Sequence, residues 1–395
     1  MIICSLKQKQ EILRFTKQVR DFITEHTNFK KGIFDGASGI SLFCFYYHQF
    51  DLGDSIIYNK GMELLESESS AFTSSPNDNF AFSNLKWLIW TVSFLKKECF
   101  LDVNQSDYDT LKPLLLSYYQ SYLEKGNYDL FYGFLGLSKV LEDFYSTEEF
   151  LELNKKFFLK TVEQEDFFSK WASLFIDRPG VYNFGLAHGM PSIVLYLVKL
   201  YELDPDAGTV FKDLAISSCH YIISKKQDYN LVGSYFPNNY NDHNQENQAS
   251  RLAWCYGDLG VGYCLWKVGT AFNDQKIVSI GLEVLLSCTE RKSPESTKVV
   301  DLSVCHGSSG LILFFKRLYE FTGLIEFKQA TEYWLSYTLT EINTSKDISE
   351  IKSWKGNEQR YAFEVGMLTG VAGIGLVLLE ILEEKKYSWS DWLLL

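Results

Sequence analysis

SVCHGSSGLILFF, residues 303–315, sets Cys305 and His306 directly in front of two glycines three apart, Gly307 and Gly310, and then turns apolar. This stretch decides the fold because it recurs along the chain. Aligned on the paired glycines, its relatives are GIFDGASGISLF from Gly32, YDLFYGFLGLSKVL from Tyr128, FGLAHGMPSIVLYL from Phe184, AWCYGDLGVGYCLW from Ala253 and VGMLTGVAGIGLVLL from Val365. The Phe184 copy has Ser192 in place of the second glycine. A further segment, FAFSNLKWLIWTVSFL from Phe80, keeps the polar-to-apolar switch but lacks the glycines. A period of roughly 50 to 70 residues leaves room for two helices and their connections in each repeat.

Within a repeat, the segment after the glycines is apolar nearly all round, as in ISLFCFYY and IVLYLVKLY, and reads as a buried helix. Its companion is amphipathic, as in KQEILRFTKQVRDFITEH, EEFLELNKKFFLKTVEQ from Glu148, FKDLAISSCHYIISKK from Phe211 and FKQATEYWLSYTLTEI from Phe327. Such pairs predict an all-α chain folded as an α/α toroid, about seven inner helices inside about seven outer ones, with residues 1–395 as a single domain. A linear superhelical solenoid is the competing arrangement. The glycines belong to the loop entering each inner helix, where crowded backbones, or a positive φ, call for a small residue. Chain direction repeats, so all these loops open on one end of the ring.

Composition agrees with a folded, helical, aromatic-rich protein. Of 395 residues 46% are hydrophobic and 16% aromatic, with only seven prolines. A formal net charge of -12, without a long Lys/Arg cluster, argues against nucleic acid as a partner. The N-terminal MIICSLKQKQ becomes polar too early for a secretory h-region, and GVAGIGLVLL is shorter than a span of about 20 residues, so the expected location is cytoplasmic. The eight cysteines are irregularly spaced without any CxxC, which is no disulfide framework.

Counting back from the first glycine of each pair gives a census of the ring mouth. One place back stand Asp35, Tyr132, His188, Tyr256, His306 and Thr369; two places back stand Phe34, Phe131, Ala187, Cys255, Cys305 and Leu368. Two cysteines thus share a frame position in adjacent repeats, and the histidines fall one place on. Cys255, Cys305 and His306 are the donor set of a three-ligand catalytic Zn2+ site with its fourth position open. The bland alternative is buried free thiols. Cys219-His220 is the internal control, mid-helix and without a glycine pair, and there the core reading holds; Cys4, Cys44, Cys99, Cys264 and Cys288 are assigned to the core as well.

His188 has Ala187 where a thiolate would stand, which suits a general acid/base, or else a fourth ligand or a structural hydrogen bond. Asp129, four before Gly133, takes a place where other repeats have glycine, and either holds an imidazole tautomer or caps a helix. Arg251, six before Gly257, either faces a developing oxyanion or is a solvated surface charge.

WCYG at Trp254–Gly257, CHG at Cys305–Gly307 and AHG at Ala187–Gly189, in that frame, resemble the signature segments of the lanthionine synthetase C-like proteins, specifically the stand-alone lanthipeptide cyclases. The resemblance covers almost the whole chain. It implies an α/α toroid with one zinc held by Cys255, Cys305 and His306, acid/base roles for His188 and Asp129, and site roles for Arg251, Trp254 and Tyr256 of R-x-x-W-C-Y-G. It implies intramolecular Michael-type addition of peptide cysteine thiols to dehydroalanine or dehydrobutyrine, closing (methyl)lanthionine thioether rings. The implied partners are a dehydrated precursor peptide with its leader, a separate dehydratase, and peripheral association with a membrane-bound biosynthetic complex. The second repeat, SNLKWL around Asn84, departs from the pattern, so that part of the ring is expected to be distorted or to contact a particular substrate or partner.

Three other readings compete. An enzyme adding glutathione or other thiols to dehydroamino acids would use the same site. A non-catalytic peptide-binding toroid needs no turnover. An α/α-barrel glycosidase would draw on Asp35, Asp129, Asp258 and Glu364, but leaves the framed cysteines unexplained.

Overall fold

The computed structural model describes residues 4–74, 79–104, 110–174, 180–241, 248–356 and 358–395. Its long helices alternate in character along the chain. They are α1 (Leu6–Glu25), α2 (Ala37–Phe50), α3 (Ser55–Ser74), α4 (Asn79–Lys97), α5 (Lys112–Lys125), α6 (Phe134–Leu141), α7 (Thr147–Thr161), α8 (Met190–Leu203), α9 (Thr209–Ser224), α10 (Asp258–Ala271), α11 (Gln275–Glu290), α12 (Ser308–Thr322), α13 (Ile325–Thr344) and α14 (Val371–Glu383). The even-numbered helices follow the repeated segments and are buried nearly all round: α12 is covered continuously from Ser308 to Leu318 and α14 from Val371 to Ile381. The odd-numbered helices bury one stripe. In α1 that stripe is Ile12, Phe15, Val19 and Ile23, each fully buried and worth roughly 1.5–3 kcal/mol of transfer free energy.

Two compact units emerge. One comprises Met1–Asp102 and Val299–Asp391 with Leu395, the other Val103–Lys298 with Trp392–Leu394. In the first, α2 packs on α3 and α12 on α13, each buried helix against the half-buried helix that follows it. Against α14 packs α1, and α14 also packs on α2. The first and last repeats are therefore neighbours, which a linear stack does not allow. In the second unit α8 pairs with α9 and α10 with α11, and α8 packs on α10. Small two-stranded antiparallel sheets decorate the helices: the hairpins β1–β2 (Glu163–Glu165, Phe168–Lys170) and β5–β6 (Lys352–Lys355, Arg360–Phe363), and the pair β3–β4 (Val181–Asn183, Asn239–Asn241), whose strands are far apart in sequence.

The buried helices begin in one way. Gly36, Gly133, Gly189, Gly257, Gly307 and Gly370 are their N-cap residues and offer no side-chain cap. The preceding loop folds back, in three repeats with two bonds, and its carbonyls accept first-turn N–H groups that would otherwise be stranded in the core. Asn127 and Tyr128 accept from Phe134 and Leu135 at 2.9 and 3.2 Å, Asp301 and Leu302 from Ser308 and Ser309 at 3.1 and 3.3 Å, and Glu364 and Val365 from Val371 and Ala372 at 3.0 Å each. Crowding is what demands glycine: a Cβ on Gly307 would run into the Ser303 amide and the Asp301 carboxylate. Of the two reasons the sequence offered for glycine here, crowding applies at all six, and positive φ only at Gly257 (φ 99°).

The repeat without glycines also differs in structure. Helix α4 already runs from Asn79, so helix replaces the entry loop around Asn84. Asn84 instead meets the first repeat's loop, where its Oδ1 would lie 2.8 Å from a Cβ on Gly32.

At the far end of α12 and α14, the fully buried Arg317 forks onto Glu380 through Nη1 and Nη2 at 2.5 and 2.9 Å, and Nη2 donates to Ser390 Oγ at 3.1 Å. Among the described residues no helix is long and apolar enough to cross a membrane.

Candidate functional site

The loop entering α10 carries Arg251, Trp254, Cys255 and Tyr256. Gly257 makes its sharp turn, and a Cβ there would collide with the Arg251 carbonyl. Buried Arg291 braces the loop from below, donating to the Ser250 and Ser296 carbonyls and lying 3.5 Å from Asp258. Burial pushes the Asp258 carboxyl up to about 6, against the pull of the Tyr235 and Phe236 amides and Arg291. Cys255 is buried, and its carbonyl accepts from Ala187 N at 3.2 Å, tying the WCYG loop to the AHG loop.

The other two framed ligands enter α12. Cys305 N donates to the Leu368 carbonyl at 2.9 Å, and His306 Nε2 lies 3.0 Å from Asp301 Oδ2. The ligand atoms of Cys255, Cys305 and His306 lie within 4.8 Å of one another, a group able to hold a metal ion. Two thiols and an imidazole are a donor set of tetrahedral zinc, whose ligand atoms stand about 3.5 Å apart. The residues fit the metal.

The control dipeptide behaves differently. Cys219 is buried while His220 points to solvent, so the core reading holds for that cysteine. Cys4, Cys44, Cys264 and Cys288 are buried as expected. Cys99 is a correction: it is exposed, in left-handed backbone (φ 62°) just beyond the end of α4, where the chain has already left the core.

In the second unit, His188 Nδ1 lies 2.7 Å from Asp129 Oδ2, with both side chains largely covered. The other oxygen, Asp129 Oδ1, accepts from Phe131 N at 2.7 Å and Tyr132 N at 2.8 Å. One carboxylate thus shapes its own loop and lies against the histidine; the helix-cap alternative is corrected, because the N-cap of α6 is Gly133 and no side chain caps it. Aromatic rings enclose His188: Phe131 edge-on at 5.2 Å, Tyr132 parallel at 6.1 Å and Tyr256 tilted at 6.4 Å. Asn183 Nδ2 donates to the Tyr256 hydroxyl at 3.1 Å. Trp254 is 1% exposed, donates Nε1 to the Leu393 carbonyl at 3.0 Å and stacks on Phe131 at 5.8 Å. It supports the site from behind. Arg251 is half-buried and, among the described residues, has no carboxylate partner; with burial and Arg291 it holds the Lys298 ammonium below its ordinary value. Part of the polar loop before it, residues 242–247, lies outside the described residues.

Of the carboxylates open to a glycosidase reading, Asp258 and Asp129 are occupied by backbone amides, Asp35 accepts from Thr369 N at 3.3 Å, and Glu364 pairs with Lys30 at 2.8 Å. What sequence reasoning missed lies six places before the glycine. Asn127, Asn183 and Asp301 there each accept the N–H two residues on, at 3.1, 2.7 and 2.9 Å. An Asn or Asp at that place in three repeats was the available signal.

The profile of the family described as "Lanthionine synthetase C-like protein" matches residues 27–394. The chain belongs to the lanthionine synthetase C-like family. It is 21% identical to the "Nisin biosynthesis protein NisC" of Lactococcus lactis subsp. lactis over 416 residues, covering 99% of this chain and 85% of that protein. The solved structure "Nisin cyclase" superposes with a TM-score of 0.71 at 17% identity, covering 99% of this chain and 98% of that one. The fold class is therefore the all-α, α/α-toroid class to which nisin cyclase belongs, as the repeats predicted.

Proposed function

We propose that this lanthionine synthetase C-like protein is a zinc-dependent lanthipeptide cyclase, with residues 1–395 working as one catalytic domain. Its substrate is a dehydrated precursor peptide bearing its leader. A cysteine thiol of that peptide adds to dehydroalanine or dehydrobutyrine and closes a (methyl)lanthionine ring. The observation that carries this reading is the group of Cys255, Cys305 and His306 in a chain of this family.

In the reaction the thiol loses its proton, a C–S bond forms at the β-carbon, and the alkene π pair moves toward the α-carbon and its carbonyl oxygen. The α-carbon then takes up a proton. Zinc held by Cys255, Cys305 and His306 would lower the pKa of the incoming thiol and stabilise its thiolate. His188, held through Nδ1 by Asp129, presents Nε2 as the atom that delivers the α-proton. Arg251, which no carboxylate engages among the described residues, stabilises the enolate oxygen. Tyr256, fixed by Asn183, borders the reacting atoms, and Trp254 positions the loop without touching them.

A separate dehydratase supplies the dehydro residues, and the chain works in the cytoplasm, peripherally associated with a membrane-bound biosynthetic complex. The second reading, addition of glutathione to dehydroamino acids, uses the same residues. Incubation with a dehydrated peptide and excess glutathione, followed by tandem mass spectrometry, separates them. Loss of alkylatable cysteine at unchanged mass supports the cyclase; glutathione adducts with the peptide thiol still open refute it.

A further inference from the structure

We infer that Asp301 is a positioning residue for the metal centre: it holds His306 by Nε2 and so commits Nδ1 to the metal. The inference rests on the zinc reading above and adds to it a residue, and a choice of ligand atom, that the framed motif does not contain.

The geometry singles out this carboxylate. Its side chain is wholly buried, and backbone and hydroxyl donors hold it in place. Oδ1 accepts from Ser303 N at 2.9 Å and Ser303 Oγ at 2.7 Å, which pins the carboxylate across the loop entering α12. Oδ2 accepts from Trp354 N at 2.8 Å and lies 3.0 Å from His306 Nε2.

A carboxylate set against one imidazole nitrogen accepts the N–H there and directs the lone pair of the other nitrogen outward, raising its basicity. With Nε2 turned to Asp301, Nδ1 is the ligand atom. The same oxygen also carries the amide of Trp354, on strand β5 of the β5–β6 hairpin. That hairpin is anchored further by Lys355, whose Nζ donates to Thr369 Oγ1 at 3.1 Å and pairs with Glu364 at 3.1 Å. A shift of the hairpin would therefore move the carboxylate that aims His306. No other repeat combines an acid six places before its glycine with a histidine one place before it.

The test is zinc affinity, measured by competition with a chromophoric chelator on wild type, Asp301→Asn and Ser303→Ala, with thermal unfolding of each metal-free protein alongside. Asparagine keeps the shape and an acceptor for Ser303 but loses the charge. We expect its zinc dissociation constant to rise about 10- to 100-fold, while Ser303→Ala, which weakens the loop but leaves the carboxylate beside His306, changes it less than about threefold. An Asp301→Asn protein that is folded and binds zinc as tightly as wild type overturns the inference, as do equal losses in both variants, which would mark a loop role only. If Asp301→Asn does not fold, 15N-histidine spectra of zinc-loaded wild type decide, with His306 assigned against His306→Gln. Metal on Nδ1 with a proton retained on Nε2 upholds the inference, and metal on Nε2 overturns it. Wild type that takes up no zinc is a different result: it removes the metal reading and this inference with it.

Discussion

Asp129 does two jobs with two oxygens, and two substitutions separate them. Alanine removes both oxygens. Phe131 N then has no acceptor in a buried place, at about 1–3 kcal/mol, and the less buried Tyr132 N adds about 1 kcal/mol, a total of about 2–4 kcal/mol before any effect on His188. Asparagine keeps an acceptor for both amides, so its cost should be about 1 kcal/mol. What asparagine removes is the negative charge 2.7 Å from His188 Nδ1, and with it the means of holding that proton and stabilising the imidazolium. Cyclisation should therefore fall by about 10²- to 10⁴-fold in Asp129→Asn, the range for a lost general acid, in a protein nearly as stable as wild type. Urea unfolding gives the stabilities, and thiol alkylation of a dehydrated peptide followed over time gives the rates. An Asp129→Asn protein that turns over within threefold of wild type would refute the acid/base assignment, and equal stability of the two variants would refute the loop role.

Two further outcomes follow from the same geometry. Gly257→Ala must place a side chain at φ 99° and against the Arg251 carbonyl, so it should cost about 2–4 kcal/mol by chemical denaturation and lower zinc content through Cys255. Asp258, raised by burial to about 6, binds its proton more tightly folded than unfolded, so it makes wild type lose stability as pH rises from about 4 to about 6, then level off. The stability difference between wild type and Asp258→Asn should move by up to about 3 kcal/mol across that window and stay flat above it, whereas a difference that is flat from pH 4 to 8 would contradict the buried placement.

The helix pairs and the glycine-marked loops between them were legible because they rest on what sequence displays directly: apolar periodicity and glycines at fixed spacing. The glycines were right in position and only partly right in cause. Gly307 and Gly370 are in ordinary extended backbone, and it is the folded-back loop, invisible in a linear string, that excludes a Cβ. Asp301 was illegible for a related reason. Its frame position holds Asn127 and Asn183 in two other repeats, a signal for the loop turn they share, but Lys30, Arg251 and Glu364 in the rest, and nothing in residue type marks the contact with His306, which only the curvature of one loop makes. Cys99 was misassigned because its exposure depends on where α4 stops, and helix ends are set by local backbone. Trp254, read as part of the catalytic motif, is buried against Phe131 and Leu393, a contact between residues far apart in sequence.

The central claim is that Cys255, Cys305 and His306 hold one zinc. It is tested most directly by plasma emission spectrometry on wild type, Cys255→Ala and Cys305→Ala, each purified without a metal-affinity step. The account predicts about one zinc per wild-type chain and loss of it in both variants, with folding retained by circular dichroism. A folded wild-type protein that stays metal-free after exposure to zinc, or variants that keep a full complement, would contradict it.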